Sequence, residues 1–387
     1  MKKSWIVLSM GVIIQAVLGG IYAWSTFTPY LVSSYGLDYA QSGFIFGSTI
    51  AVFTIAMVFA GPLLISWGPR VIVRISAILF MTGYSGASLT GGNYILLLLS
   101  IGGIAGAGIG FGYVCPLSVG MKWFPDKKGL VTGISVAGFG GGSIVLSVVA
   151  NHFLKASVDV LAFFRWYGLV SGFLLFLISF YFDLPPLDST SKPHNPNTAS
   201  PYQVIFTKTF GLITFGMFAG TFAGLIVIGN LIPLLRQAGL TETQALASMS
   251  LFALGNVTGR ILWGVIFDKI KDRTIPLSLF TIFCASLLLL WSFPVWVTFG
   301  IVFLFGFGFG ANFVVYASAI SKTFGSHIFP AVYPIVFLAY GFAGAVGPGF
   351  AGFLEDRTGS FHAALLCSAG LLVGTLLVTI FARKNFH

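Results

Sequence analysis

Charge is what this 387-residue chain has least of: Asp, Glu, Lys and Arg make up 8% of it, against about 25% in soluble domains. With 57% hydrophobic residues, that shortage excludes a water-soluble fold. Cysteine is scarce too. Cys115, Cys284 and Cys367 all fall in apolar runs with no paired spacing, which excludes a disulfide framework and a cysteine-built metal centre. Acids are missing from the apolar interior: the ten Asp and Glu residues fall in connections or at run ends, so the buried carboxylate that usually relays protons in membranes is not there. No nucleophile–base pair or His/Cys/Asp cluster stands out, and the expectation is a protein without catalysis, cofactor or metal. The glycine row at Gly106, Gly108, Gly110 and Gly112 lies inside an apolar run with no strand before it, so it reads as close helix packing and excludes a nucleotide loop. The apolar runs are uninterrupted, as helices require, whereas barrel strands would alternate apolar and polar residues, which excludes a membrane barrel.

What is present is a series of twelve apolar runs, roughly 5–32, 40–67, 71–90, 93–122, 128–153, 162–182, 205–236, 241–268, 274–292, 294–321, 328–354 and 360–382. Each has about 20 residues or more, enough to cross a hydrocarbon core of about 30 Å. The first begins after Met1-Lys2-Lys3 and is too long for a signal peptide. The segment 184–203 is the most hydrophilic and carries Pro185, Pro186, Pro193, Pro196 and Pro201. It is expected to link two six-helix halves, residues 1–183 and 204–387.

Lys and Arg orient the spans. With both termini in the cytoplasm, the inner side holds fifteen of the twenty cations, the outer side holds Lys155, Arg165, Arg236 and Arg357, and Arg260 remains inside a span. This asymmetry matches the positive-inside rule. It also accounts for the net charge of +10 without a nucleic-acid partner. The halves repeat. A shift of 203 residues lays Gln41 on Gln244, Met57 on Arg260 and Gly61 on Gly264; a shift of 200 lays Gly106, Gly108 and Gly110 on Gly306, Gly308 and Gly310, and Lys122 on Lys322. Two parallel six-helix halves around a midplane site are a secondary-transporter architecture.

Four motifs sharpen this reading. Gly61–Arg70 and Gly264–Arg273 resemble the loop motif of the major facilitator superfamily, in which Gly allows helix contact and an Asp helps latch the cytoplasmic gate. The second copy has Asp268, whereas the first has Ile65 at the acid's place. Gly19-Gly20-Ile21-Tyr22-Ala23-Trp24-Ser25, and Trp123–Leu130 leading into Gly133–Gly138, resemble first- and fifth-helix signatures of monocarboxylate transporters and oxalate/formate antiporters. The resemblance implies a twelve-helix all-α membrane fold and alternating access, with Gly61, Arg70, Gly264 and Asp268 as gating residues. It implies uptake of a small monocarboxylate such as lactate or pyruvate with a proton, by a monomer in the cell membrane (the inner membrane of a bacterial cell). An oxalate/formate-type antiporter and a non-transporting carboxylate sensor stay open.

Departures from the family matter equally. Leu18 stands where animal monocarboxylate transporters carry an acid, Asn256 where they carry an Asp, and Tyr340 near the place of the oxalate transporters' second cation. One fixed charge suits one carboxylate, since a dianion would leave a charge unmatched in low dielectric.

The expected substrate contacts centre on Arg260, a guanidinium inside hydrocarbon, which costs at least about 3 kcal/mol uncompensated. Its planar fork fits a carboxylate. Asn256, one turn earlier, shares its face. Tyr113, Asn312 and Tyr316 fall in spans four and ten, which line the cavity in this superfamily; Tyr22, Phe337 and Tyr340 are expected in the apolar wall, with Asn230 a further polar candidate. His152 and His327 lie at span edges and read as solvated or capping residues.

Overall fold

The computed structural model describes residues 2–186 and 201–381. Three of the fifteen inner-side cations, Lys192, Arg383 and Lys384, lie outside them, as does most of the 184–203 linker. No strand occurs among the described residues, as expected where backbone N–H and C=O groups must be satisfied within one segment.

The helices are α1 (Lys2–Gly19), α2 (Trp24–Tyr35), α3 (Tyr39–Ala87), α4 (Tyr94–Leu97), α5 (Gly106–Trp123), α6 (Lys128–Lys155), α7 (Val160–Ser179), α8 (Pro201–Val204), α9 (Lys208–Gln237), α10 (Glu242–Ile270), α11 (Thr274–Leu288), α12 (Val295–Phe324), α13 (Phe329–Thr358) and α14 (His362–Phe381). They give ten long apolar stretches, two of which hold two spans each. α3 breaks at Gly68, whose φ of 77° strongly favours glycine; α10 and α11 are joined through a 3₁₀ turn at Lys271–Arg273. Among the described residues the count is therefore twelve. The first-helix signature is itself an interruption, a 3₁₀ turn at Gly20–Ala23 between α1 and α2.

Contacts divide the chain into two units. Unit 1 takes the described residues within Met1–Pro125, Ser135–Thr198 and Ser326–Pro334; unit 2 takes those within Asp126–Ile134, Ala199–Gly325 and Ile335–His387. Thus the first turns of α6 belong to unit 2 and those of α13 to unit 1.

The repeat has a physical content in both units. Gln41 Oε1 accepts from Asp38 N, and Gln244 Oε1 accepts from Thr241 N, each at 3.0 Å; each glutamine closes the start of its helix in a capping box. The glycine rows also correspond. A Cβ on Gly106 or Gly110 would sit 3.0 Å from Thr49 O or 2.5 Å from Phe53 O. On Gly306 or Gly310 it would sit 2.2 Å from Phe252 O or 2.4 Å from Asn256 O. Thr49 and Phe53 plus 203 are Phe252 and Asn256, so the same backbone crossing is built twice. Without water or a hydrophobic drive between helices in lipid, such close packing is a main source of association.

Candidate functional site

The α10–α12 crossing sets the site in unit 2. Gly255 and Gly259 of α10 meet the carbonyls of Phe303 and Phe307, where added Cβ atoms would come within 2.2 and 2.3 Å. Trp263 Nε1 donates to Phe307 O at 3.0 Å and fixes the register. With the backbones this close, the side chain of Arg260 is laid across α12. Its guanidinium carbon stands 4.7 Å from the centroid of the Phe313 ring, and its Nε donates to Asn256 Oδ1 at 3.0 Å. Arg260 is 2% exposed. Neither Asn256 nor Phe313 carries charge, so both orient the guanidinium without neutralising it. Among the described residues, the only buried charged side chains are Arg260 and Asp272.

The aromatic wall continues from Phe313. Tyr340 meets it edge-on with centroids 5.3 Å apart, Phe337 lies 6.2 Å from it, and Phe337 and Tyr340 are 5.2 Å apart. The structure therefore brings Arg260, Asn256, Phe337 and Tyr340 together through Phe313, a residue the sequence reading missed. The available signal was its place next to Asn312 in the span that carries the second glycine row. A cation over a ring contributes about 0.5–2 kcal/mol depending on desolvation. Phe313→Leu is therefore expected to raise the half-saturating substrate concentration about 2- to 30-fold, measured as uptake in proteoliposomes.

Asn312 and Tyr316 belong to the same helix but to another side of it. Both are fully buried and lie against Gly220 and Gly216 of α9. Asn230 marks a kink in α9, with φ −127° and ψ 16°. Pro233, three residues on, has no N–H and crowds the preceding turn, and Asn230 Nδ2 donates to Ile226 O at 3.0 Å across the break. Tyr22 and Tyr113 are in unit 1, where both rings stand edge-on to Phe139 at 5.4 and 5.1 Å. Beside them is another residue the sequence reading passed over: Gln15, fully buried in α1, donates from Nε2 to Tyr113 O at 3.1 Å. His152 is exposed and edge-on to Phe153, and His327 is half-buried.

The two loop motifs differ in kind. In unit 2 a Cβ on Gly264 would sit 2.3 Å from Gly129 O, so α10 and the start of α6 touch. There Asp268 uses both carboxylate oxygens, accepting from Gly129 N at 2.8 Å and Leu130 N at 2.9 Å. This is an anionic cap on the positive end of a helix. One further turn of the motif pairs Asp272 with Lys322 of α12. In unit 1 a Cβ on Gly61 would sit 1.8 Å from Pro330 O, so the contact with a helix start is kept. The N–H groups are not available, however. Pro330 has none, and Ala331 N and Val332 N donate to Ile328 O at 3.0 and 3.1 Å. An acid at Ile65 would face a proline and two amides already donated to Ile328 O. Arg70 instead pairs with Asp183 at 2.8 Å, and Trp123 Nε1 donates to the Asp183 carbonyl at 2.8 Å.

Twelve membrane helices in a twofold repeat, with an oriented guanidinium buried in the eighth, define a membrane carrier of the two-bundle class. The profile of the Major Facilitator Superfamily matches residues 8–348, and the chain belongs to that superfamily. It is similar to the Oxalate:formate antiporter of Oxalobacter formigenes, 24% identical over 97% of this chain and 91% of that protein. It is also similar to Monocarboxylate transporter 12 of Rattus norvegicus, 24% identical over 73% of this chain and 65% of that one. The structure of the transporter FucP in the outward conformation shares the fold, with a TM-score of 0.77 at 14% identity, covering 98% of this chain and 99% of that one.

Proposed function

We propose that this carrier moves a small monocarboxylate, such as lactate or pyruvate, together with a proton by alternating access. The observation that supports it is Arg260, buried and aligned by Asn256 and Phe313. A guanidinium fork held in a dry site binds a carboxylate by two charge-assisted hydrogen bonds. Tyr340 and Phe337 form the apolar wall for the short tail. Tyr22 and Tyr113, within unit 1, are proposed as further substrate contacts. Tyr340 standing where a second cation would serve a dianion favours one carboxylate over two. Asp268, Gly264, Gly61 and Arg70 act in closing the inner gate, with termini and gate on the cytoplasmic side by the Lys/Arg asymmetry.

The test is uptake into proteoliposomes of a panel of labelled mono- and dicarboxylates, with and without a proton gradient. Preference for lactate or pyruvate, driven by an inward proton gradient, is expected. Uptake of oxalate that requires formate on the far side and ignores pH would replace this reading with antiport, the activity named for the relative from Oxalobacter formigenes.

A further inference from the structure

At the end of unit 1 that carries the Gly61–Arg70 motif, α3 beyond Gly68 meets the end of α7 in two rungs one turn apart. In the first rung Arg70 pairs with Asp183 at 2.8 Å, and the other Asp183 oxygen accepts from Leu184 N at 2.8 Å. In the second, Arg74 Nε donates to Ser179 Oγ at 3.2 Å, and the guanidinium carbon stands 4.7 Å from the centroid of the Phe180 ring. Ser179 gives its own hydroxyl proton to Phe176 O at 2.6 Å, so its lone pair is turned to Arg74. The arrangement repeats that of Arg260, with a polar side chain on Nε and a phenyl ring under the face. It holds the Arg74 fork still. Among the described residues no carboxylate pairs with that fork, because Asp183 is committed to Arg70 and Leu184.

Arg74 is half-buried and lies on the outer face of its span. Val71 and Ile78, three residues before it and four after, share its stripe of the helix and are exposed. On α7, Phe173, Leu177 and Phe180 form an exposed apolar stripe beside it. The repeat shows what this position holds in the other half. Gly68 and Lys271 are 203 residues apart, and both break the chain at positive φ, 77° and 53°. The register therefore holds here, and Arg74 falls on Leu277 of α11, which is 43% exposed. A cation thus stands where the other half presents an apolar side chain to lipid tails. It is about 9 Å along the axis from the Gly68 break. Helical side chains lean toward the N-terminus, which brings the fork back to the level of the headgroups.

We infer that Arg74, held by Ser179 and Phe180, is a binding site for the headgroup phosphate of an anionic membrane lipid. A fixed guanidinium takes two phosphate oxygens at once. Arg70 and Arg74 against Asp183 leave one positive charge, which a lipid carrying a single negative charge matches; a zwitterionic lipid brings a cation of its own to the same place. The acyl chains lie along the stripes of Val71 and Ile78 and of Phe173 and Leu177, a contact that a free phosphate lacks. Basic positions between helix ends at the headgroup level are where such lipids are held. The leaflet is the cytoplasmic one in the orientation proposed above, but the site depends neither on that orientation nor on the substrate.

The experiment is native mass spectrometry of the delipidated full chain, titrated with phosphatidylglycerol or phosphatidylcholine. Wild type is compared with Arg74→Leu, which installs the residue of the repeat position, and with Arg357→Leu, which removes another arginine that lies over a phenyl ring. Phosphatidylglycerol is expected to bind wild type in preference to phosphatidylcholine, about fivefold more weakly to Arg74→Leu, and equally to wild type and Arg357→Leu. Excess inorganic phosphate is expected not to displace it. Ser179→Ala, which frees Nε and keeps the charge, is expected to weaken binding about 2- to 10-fold, and it decides the matter should Arg74→Leu not purify as a folded protein. Equal phosphatidylglycerol affinity in wild type and the Arg74 and Ser179 variants overturns the inference. So does an equal loss in Arg357→Leu, which would mean unspecific charge attraction, or equal binding of phosphatidylcholine. Displacement by inorganic phosphate would make this a free-anion site and overturn the lipid assignment.

Discussion

Arg260→Lys lowers lactate uptake about 10- to 150-fold, although the charge is retained. The magnitude follows from the 1.5–3 kcal/mol of a hydrogen bond to a charged group at about 1.4 kcal/mol per tenfold. A guanidinium offers a planar fork and a face; an ammonium is a strongly hydrated point charge. In this structure both features of the fork are in use. The Asn256 amide holds Nε, and the face lies on Phe313. Lysine keeps a donor and a cation but not the planar group that makes both contacts at once and still presents a fork, and its shorter reach leaves the charge differently placed. Arg260→Gln, which also removes the charge, is expected to abolish uptake. Labelled-lactate uptake in proteoliposomes checks both variants; wild-type rates in Arg260→Lys would show that charge alone suffices.

Asp268→Asn is expected to lower the maximal rate by roughly 10- to 30-fold while changing half-saturation little. The carboxylate caps the first turn of α6 with two oxygens at once. The amide keeps one acceptor, turns an N–H₂ toward a backbone N–H, and gives up the charge that favours a helix N-terminus by up to about 2 kcal/mol in partly buried geometry. The split between rate and half-saturation distinguishes a gate residue from a substrate contact. The reciprocal change Ile65→Asp is expected to give no second latch, because the helix start beside Gly61 has Pro330 and amides already donated to Ile328 O. Equal transport in wild type and Asp268→Asn would remove the gate role.

Much of this architecture was legible in the residues. Span number followed from apolar run length, and the repeat from pairs such as Gln41/Gln244, which turn out to close equivalent capping boxes. Arg260 was conspicuous because hydrocarbon tolerates so few charges, and i, i+4 spacing put Asn256 on its face; that the two bond is seen in the structure. What the sequence concealed was the rotation of each helix about its axis. Phe313, Asn312 and Tyr316 share one apolar helix. Which of them meets Arg260 and which meets α9 depends on where Gly306 and Gly310 let α10 approach. The same holds for Arg70, whose partner Asp183 is more than a hundred residues away. Asn230, a polar candidate by sequence, sits at the kink before Pro233 and bonds Ile226 O there, a placement the residues alone do not give. The reason Ile65 stands at the acid's place was hidden too: the helix start beside Gly61 carries Pro330 and amides already donated to Ile328 O.

Calorimetric titration of lactate into purified protein tests whether Arg260 binds the carboxylate, without the complication of transport. Saturable binding to wild type, absent from an Arg260→Gln variant of equal thermal stability, is the result predicted. Equal lactate affinity in the two proteins would contradict it.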